Sequence, residues 1–335
     1  MKKKKKLKAE SFISISAALR AREARMLSDE RLEQAVSAQT KEDAAKLLAD
    51  SGMPDMSDMT APEIDAALSR YRAEVFDDLA KYAECVPIVD LFRLKYDYHN
   101  VKVLVKAMAE NTDGGAMLSR CGRVDPDRLT DAFNRGVRGD LPETLADAMG
   151  EAAGVMSRTK NPQLADIGAD AAWFREYLSL AEGIGCTAIT DHAKLQIDAT
   201  NLKTAVRMLR MGRGWEHLEP ALVPGGTRDV RAFAALSASG EELTELFTGT
   251  PLQGCALLGR DCVSGGSLTA FEKSVDDALT ASLGGISLKA FGPEVVFGYL
   301  CGVENAVASA RMIMNGKLFG IGPESLRERM RSSYV

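Results

Sequence analysis

Aromatic residues make up only 6% of this 335-residue chain, while alanine, leucine, glutamate, lysine and arginine are plentiful. That balance disfavours β-sheet and favours helix. No alternation of apolar and polar residues lasts long enough to propose a strand. No window reaches the roughly 18 uninterrupted apolar residues that a membrane span needs. The most apolar late stretch, 286–303, is broken by Lys289 and Glu294. A secretory signal is not expected, because Ser11, Ser14, Ser16 and Arg20 interrupt any apolar core near the start. The six cysteines contain no C-x-x-C pair and read as reduced cytosolic thiols that fill cores.

Catalytic sets are also missing. The chain has three histidines, His99, His192 and His217. Asp191-His192 lacks further ligands at metal-site spacing. Gly316-Lys317 is followed by Leu318, so it is no phosphate-binding loop. No nucleophile elbow is present. No catalytic residue, cofactor or metal site is therefore expected. Net charge is −5, which gives no bulk case for nucleic acid. The one basic concentration is Lys2 to Lys6 with Lys8. It reads as a solvated terminus or as a patch drawn to anionic lipid headgroups.

What the chain does contain is a helix written three times. The copies centre on Asn100, Asn201 and Asn305, about a hundred residues apart, a long-period internal repeat. Positions −6, −2, +1, +5 and +8 hold Leu94, Tyr98, Val101, Val105 and Met108 in the first copy. The second has Leu195, Ala199, Leu202, Val206 and Leu209, and the third Tyr299, Val303, Ala306, Ala310 and Ile313. All are apolar or aromatic, at the spacing of one stripe on an α-helix. Position +6 is basic each time: Lys106, Arg207 and Arg311. Position +11 holds Asn111, Gly212 and Gly316, residue types suited to closing a helix.

Helices are expected over 17–49, 61–85, 88–110, 126–136, 142–157, 163–181, 187–211, 228–239, 240–248, 269–282, 293–315 and 323–332, an all-α chain. Thr40 and Thr60 stand at capping-box spacing from Asp43 and Glu63. Proline follows a cap-like residue at Pro126, Pro162, Pro293 and Pro323. After the first two repeat helices, Cys121-Gly122-Arg123-Val124-Asp125 parallels Pro224-Gly225-Gly226-Thr227-Arg228-Asp229. Three similar helical bundles about a pseudo-threefold follow, with repeats spanning 1–115, 116–215 and 216–335.

Asp97 and Asn100 lie three apart beside the apolar stripe, as do Asp198 and Asn201. They read as hydrogen-bonding pins at a bundle edge or as part of a recognition surface around a central cavity. Gly302 stands where the third aspartate would be, which argues against a threefold ion site.

The segment Leu91-Phe92-Arg93-Leu94-Lys95-Tyr96-Asp97-Tyr98-His99-Asn100-Val101-Lys102 resembles the signature helix of the C subunit, called d in eukaryotes, of rotary V-type and A-type ATPases. Further matches follow in order: Ala21-Arg22-Glu23-Ala24-Arg25, Asn201-Leu202-Lys203, Gly292-Pro293-Glu294, Tyr299, Glu304-Asn305, Arg311, Gly316-Lys317-Leu318, Arg327-Glu328-Arg329 and Tyr334-Val335. The resemblance runs from about residue 12 to residue 335, and departs in the lysine-rich start and the Gly-rich 259–267. It implies a three-domain funnel and a non-enzymatic rotor subunit on the cytoplasmic side of the membrane. The implied partners are the proteolipid ring and the central axle subunits of D and F type; the stator membrane subunit is a further candidate. Asp97, Asn100, Lys106, Asp198, Asn201, Arg207, Asn305 and Arg311 are the repeat residues that would stand near the partner cavity. The alternative is an all-helical scaffold of unrelated use.

Overall fold

A computed structural model describes residues 7–335, so the Lys2–Lys6 run lies outside the described residues. The described residues form helices and turns without a strand. In chain order the helices are α1 (Ile13–Glu23), α2 (Asp29–Ser37), α3 (Lys41–Ala49), α4 (Ala61–Ala80), α5 (Val86–Glu110), α6 (Pro126–Arg135), α7 (Glu143–Thr159) and α8 (Pro162–Ile184). They continue with α9 (Thr187–Arg210), α10 (Trp215–Leu218), α11 (Glu242–Leu246), α12 (Gln253–Val263), α13 (Leu268–Ala281), α14 (Gly284–Ser287), α15 (Pro293–Leu318) and α16 (Pro323–Arg327). None is long and apolar enough to cross a membrane.

Local chemistry starts these helices where the sequence marks them. The Thr40 hydroxyl accepts from Asp43 N–H at 3.0 Å. Glu63 Oε2 accepts from the Thr60 N–H and hydroxyl at 2.8 and 2.6 Å. Asn161 caps α8 by accepting from Gln163 N–H at 2.9 Å. Each bond satisfies a donor that the first helical turn leaves open.

Four expectations need correction. The helix expected over 17–49 is three helices, because Ser28 and Thr40 each cap a new start. The helix expected over 228–239 shrinks to a 3-10 turn at Val230–Ala235. Helix α12 was not expected, since Gly254 and Gly259 lower its helix propensity. Gly259 is used for close packing: an added Cβ would stand 2.7 Å from Val206 and 3.0 Å from Phe271. Gly316 does not end the third repeat helix but sits inside α15 beneath Leu326, and Gly320 takes the left-handed turn at φ 69°. Asn111 and Gly212 do take it, at φ 51° and 68°.

The repeat stripe is buried except for Met108, which is 43% exposed in the solvent-facing last turn of α5. Two apolar cores result. The larger joins α1–α8, the start of α9 and α14–α16, and the smaller joins the rest of α9 with α10–α13. Helix α9 serves both, with Ile189, Ala193 and Ile197 in the first and Leu202, Val206 and Leu209 in the second. Full burial of each large side chain contributes about 1.5–3 kcal/mol.

Six helices close a cycle. The order is α4, α5, α8, α9, α13, α15 and back to α4, with direct packing at five of the six junctions. Between α13 and α15, Asn305 Nδ2 donates to Thr280 Oγ at 3.3 Å. The three repeat helices α5, α9 and α15 come together near their starts. There the Phe92 and Phe297 rings lie 5.4 Å apart, and His192 meets Phe297 edge-on at 5.2 Å.

Candidate functional site

A cavity of about 1540 Å³ lies inside this cycle, and all six helices contribute to its lining. Its walls are largely apolar but carry charges of both signs, with Asp65, Arg72, Lys102, Asp170, Asp276 and Arg311 among them.

Ion pairs join the repeat helices α5 and α9 to α8 and α13 in a repeated register. Lys102 and Lys106 of α5 reach Asp170 and Asp166 of α8, both at 2.7 Å. Lys203 and Arg207 of α9 reach Asp276 and Glu272 of α13, both at 2.5 Å. Partners four apart on each antiparallel helix bring both pairs onto one seam. The third seam closes back on the first unit, where Arg311 of α15 meets Asp65 of α4 at 2.6 Å. Apart from Lys203–Asp276, which is mostly buried, these pairs are partly exposed, so each of those contributes little to stability. They instead define which helix faces which.

Asn100 and Asn201 act one layer behind this lining, and Asn305 is part of it. Asn100 Nδ2 donates to Ser119 C=O at 2.8 Å, and its Oδ1 accepts from Ser119 N–H at 2.7 Å. Asn201 makes the same two bonds to Val223, at 2.7 and 2.8 Å. Asn305 holds Ser332 C=O at 2.8 Å. Asp97 accepts from Arg123 Nε at 2.7 Å and Val124 N–H at 3.1 Å. Asp198 accepts from Thr227 N–H at 3.0 Å, Arg228 N–H at 3.2 Å and the Thr227 hydroxyl. Gly122 and Gly226 lie directly over these carboxylates, where an added Cβ would approach closer than 3.0 Å. The parallel Gly loops of the sequence are thus one device built twice. Burial pushes the Asp97 carboxyl up from the ordinary range, against the pull of Arg123.

Of the residues singled out in the sequence, Asn305 and Arg311 line the cavity. Asp97, Asn100, Asp198 and Asn201 are buried behind it, and Lys106 and Arg207 lie on the seams outside its lining. Sequence reasoning missed a polar cluster in the wall. Glu304 meets Lys95 at 2.5 Å and Arg72 at 2.9 Å, and accepts from the Tyr96 hydroxyl at 2.8 Å. The Arg72 contact is a charge contact rather than a directed bond, because Arg72 Nε has no aligned acceptor. Both cations also stand over the Tyr96 ring, at 5.0 and 4.9 Å. Burial opposes the Glu304 charge, but Lys95 and Arg72 outweigh it and hold the carboxyl below its ordinary value. Lys95-Tyr96 and Glu304 sit in the signature segments, yet no repeat singled them out, since their partners are 209 and 208 positions apart.

The lining shows little for chemistry. Among the described residues no three His, Cys, Asp or Glu groups converge on a metal position. All six cysteines are free, four of them buried. His192, partly buried, has its imidazole pushed down to about 4 by burial and meets Ser282 Oγ at 3.0 Å. What the geometry offers is a large recess, mostly apolar, with charged groups of both signs on its wall.

Comparison with known proteins places the chain in a family. Residues 15–329 match the family described as ATP synthase (C/AC39) subunit. The chain is 24% identical over 326 residues to the C subunit of the V-type sodium ATPase of Enterococcus hirae, covering 96% of this chain and 99% of that protein. It is 24% identical over 254 residues to the C subunit of the V-type ATP synthase of Thermus thermophilus, covering 73% and 77%. The C subunit of the A-type ATP synthase of Methanocaldococcus jannaschii is 23% identical over 352 aligned positions, covering 96% and 86%. With the match spanning nearly its whole length, the chain belongs to the ATP synthase (C/AC39) subunit family.

Proposed function

We propose that this protein is a non-catalytic rotor subunit of a V/A-type ATPase. In this reading it links the proteolipid ring to the D- and F-type axle subunits on the cytoplasmic side of the membrane. It transmits torque between ATP chemistry and the transport of protons or sodium ions. Three units, with boundaries near 115 and 215, would form the funnel, and the axle end would enter the central cavity.

The observation that carries this reading is the cavity enclosed by all six helices of the cycle. Its 1540 Å³ exceeds the roughly 300–1,000 Å³ of small-molecule sites. It would hold about three to four turns of helix at a diameter near 10 Å, the scale of a polypeptide end. A part that passes on torque needs stiffness and two binding faces, and it needs no reactive group. The two apolar cores are what would supply that stiffness.

Affinity purification of the tagged chain from detergent-solubilised membranes, followed by imaging of the particles, tests the reading. Density for this chain between the proteolipid ring and the axle is the expected result. Recovery of the chain solely as a free monomer, with an intact membrane ATPase after its deletion, overturns it.

A further inference from the structure

The three seams of the cycle differ in how the chain crosses them. From α5 to α8 it continues through α6 and α7, and from α9 to α13 through 211–267. The α15–α4 seam instead joins distant parts of the sequence, with Arg311 and Asp65 separated by 246 positions. The segment after α16 also joins distant parts of the chain, bridging α13 and α15 to α1 and α2.

On its third-unit side, Asn305 of α15 holds Ser332 C=O at 2.8 Å. Ser332 N–H donates to Asp277 of α13 at 2.7 Å, and Arg331 pairs with Asp276 at 2.6 Å. On its first-unit side, Ser333 N–H donates to Asp29 of α2 at 2.6 Å, and the Tyr334 hydroxyl donates to Glu23 of α1 at 3.2 Å. Just ahead, Arg327 of α16 pairs with Glu33 of α2 at 2.6 Å. The Tyr334 side chain lies against α15 at Gly298 and Gly302, where an added Cβ would stand 2.5 Å and 2.7 Å from it. Gly302 is the repeat position of Asp97 and Asp198. In the first two units a carboxylate there holds the unit's own loop. In the third, a glycine leaves room for a tyrosine that reaches the first unit.

We propose that Glu328–Val335 is a latch that ties α13 and α15 to α1 and α2, and that its release loosens α1, α2 and the half of α15 facing them. Every bond in it is at least partly open to solvent, and none of residues 328–335 is fully buried. The segment can therefore detach at a small local cost while both cores stay folded. Arg331 and Tyr334 also line the central cavity, so whatever occupies the cavity touches the latch directly.

Hydrogen exchange on the full chain tests this, using Tyr334→Ala, removal of 331–335, and the milder Tyr334→Phe and Ser333→Pro. Tyr334→Phe loses only the hydroxyl's bonds, and Ser333→Pro the donor to Asp29 together with the hydroxyl that donates to Val335 C=O. Ala109→Gly, at an exposed site on α5, controls for general destabilisation. Release of the latch is expected to raise exchange in α1, α2 and the first half of α15 by about tenfold, with α5 and α8 unchanged. Tyr334→Phe and Ser333→Pro should show smaller rises confined to the same helices. Exchange rising equally in α5 and α8, or no rise in α1 and α15 after removal of 331–335, overturns the latch. So does complete unfolding of the truncated chain together with the two mild variants, since the segment would then be part of the core.

Discussion

Asn201 and Val223 exchange two hydrogen bonds, the side-chain amide pairing with both backbone groups of the valine at 2.7 and 2.8 Å. Asn100 and Ser119 repeat the arrangement. The side chain thus does for a loop what a neighbouring strand would do in a sheet. It satisfies a backbone donor and acceptor that are shielded from water, and it fixes where the following chain leaves the helix.

Asn201→Ala removes both partners and leaves the Val223 N–H and C=O buried without replacement. The expected loss is roughly 2–6 kcal/mol, at about 1–3 kcal/mol for each of the two stranded groups. Urea unfolding should show a lower midpoint with an unchanged slope. A midpoint equal to the parent's would mean that water replaces the amide.

The glycines over the aspartates give a paired comparison. Gly226→Ala drives a Cβ into the hydrogen-bonded Asp198 carboxylate and should cost about 1–3 kcal/mol. Gly150→Ala, on α7 with nothing within 4 Å, should stabilise by about 0.5–1 kcal/mol. Thermal melting of the two variants in one buffer reads both signs.

Glu304→Gln leaves Lys95 and Arg72 facing a neutral amide. Breaking such a pair costs about 3–5 kcal/mol when buried, and the low end applies because the Glu304 side chain is 17% exposed. The carboxyl titrates below its ordinary 4.5 in the fold. Its contribution is therefore complete above pH 4.5 and is lost as pH falls through the folded value. Parent and variant stabilities measured from pH 7 downward should converge in acid.

His192 behaves in the same direction for a different reason. Burial lowers its imidazole from 6.5 to about 4, so folding disfavours the charged ring. Its contribution is intact above pH 6.5 and is lost as pH falls from 6.5 towards 4. His192→Phe should flatten the stability profile across that window, and the ring protons of the parent should titrate with a midpoint near 4 by NMR.

Much of the architecture was legible because it is local or periodic. The stripes on α5, α9 and α15 needed only the period of a helix, and the caps at Thr40, Thr60 and Asn161 act within one turn. The Gly loops at 121–125 and 224–229 were visible as a second short repeat. Their purpose was not, since only the folded chain brings Gly122 over Asp97 and Gly226 over Asp198. The Glu304 cluster was hidden for a related reason. Neither Arg72 nor Lys95 is in helical register with Glu304, so no spacing rule links them.

By itself the sequence determined the helical class, the threefold repetition, most helix starts and the family resemblance, because each depends on residues within a few turns of one another. The tertiary structure alone decided which helices face each other across the seams, and that a cavity remains between them. It also decided that Gly316 packs under Leu326 instead of ending a helix, and that Gly302 makes room for Tyr334. Those outcomes depend on contacts between residues far apart in the chain, whose positions follow from packing two cores and closing a ring. No local preference specifies them.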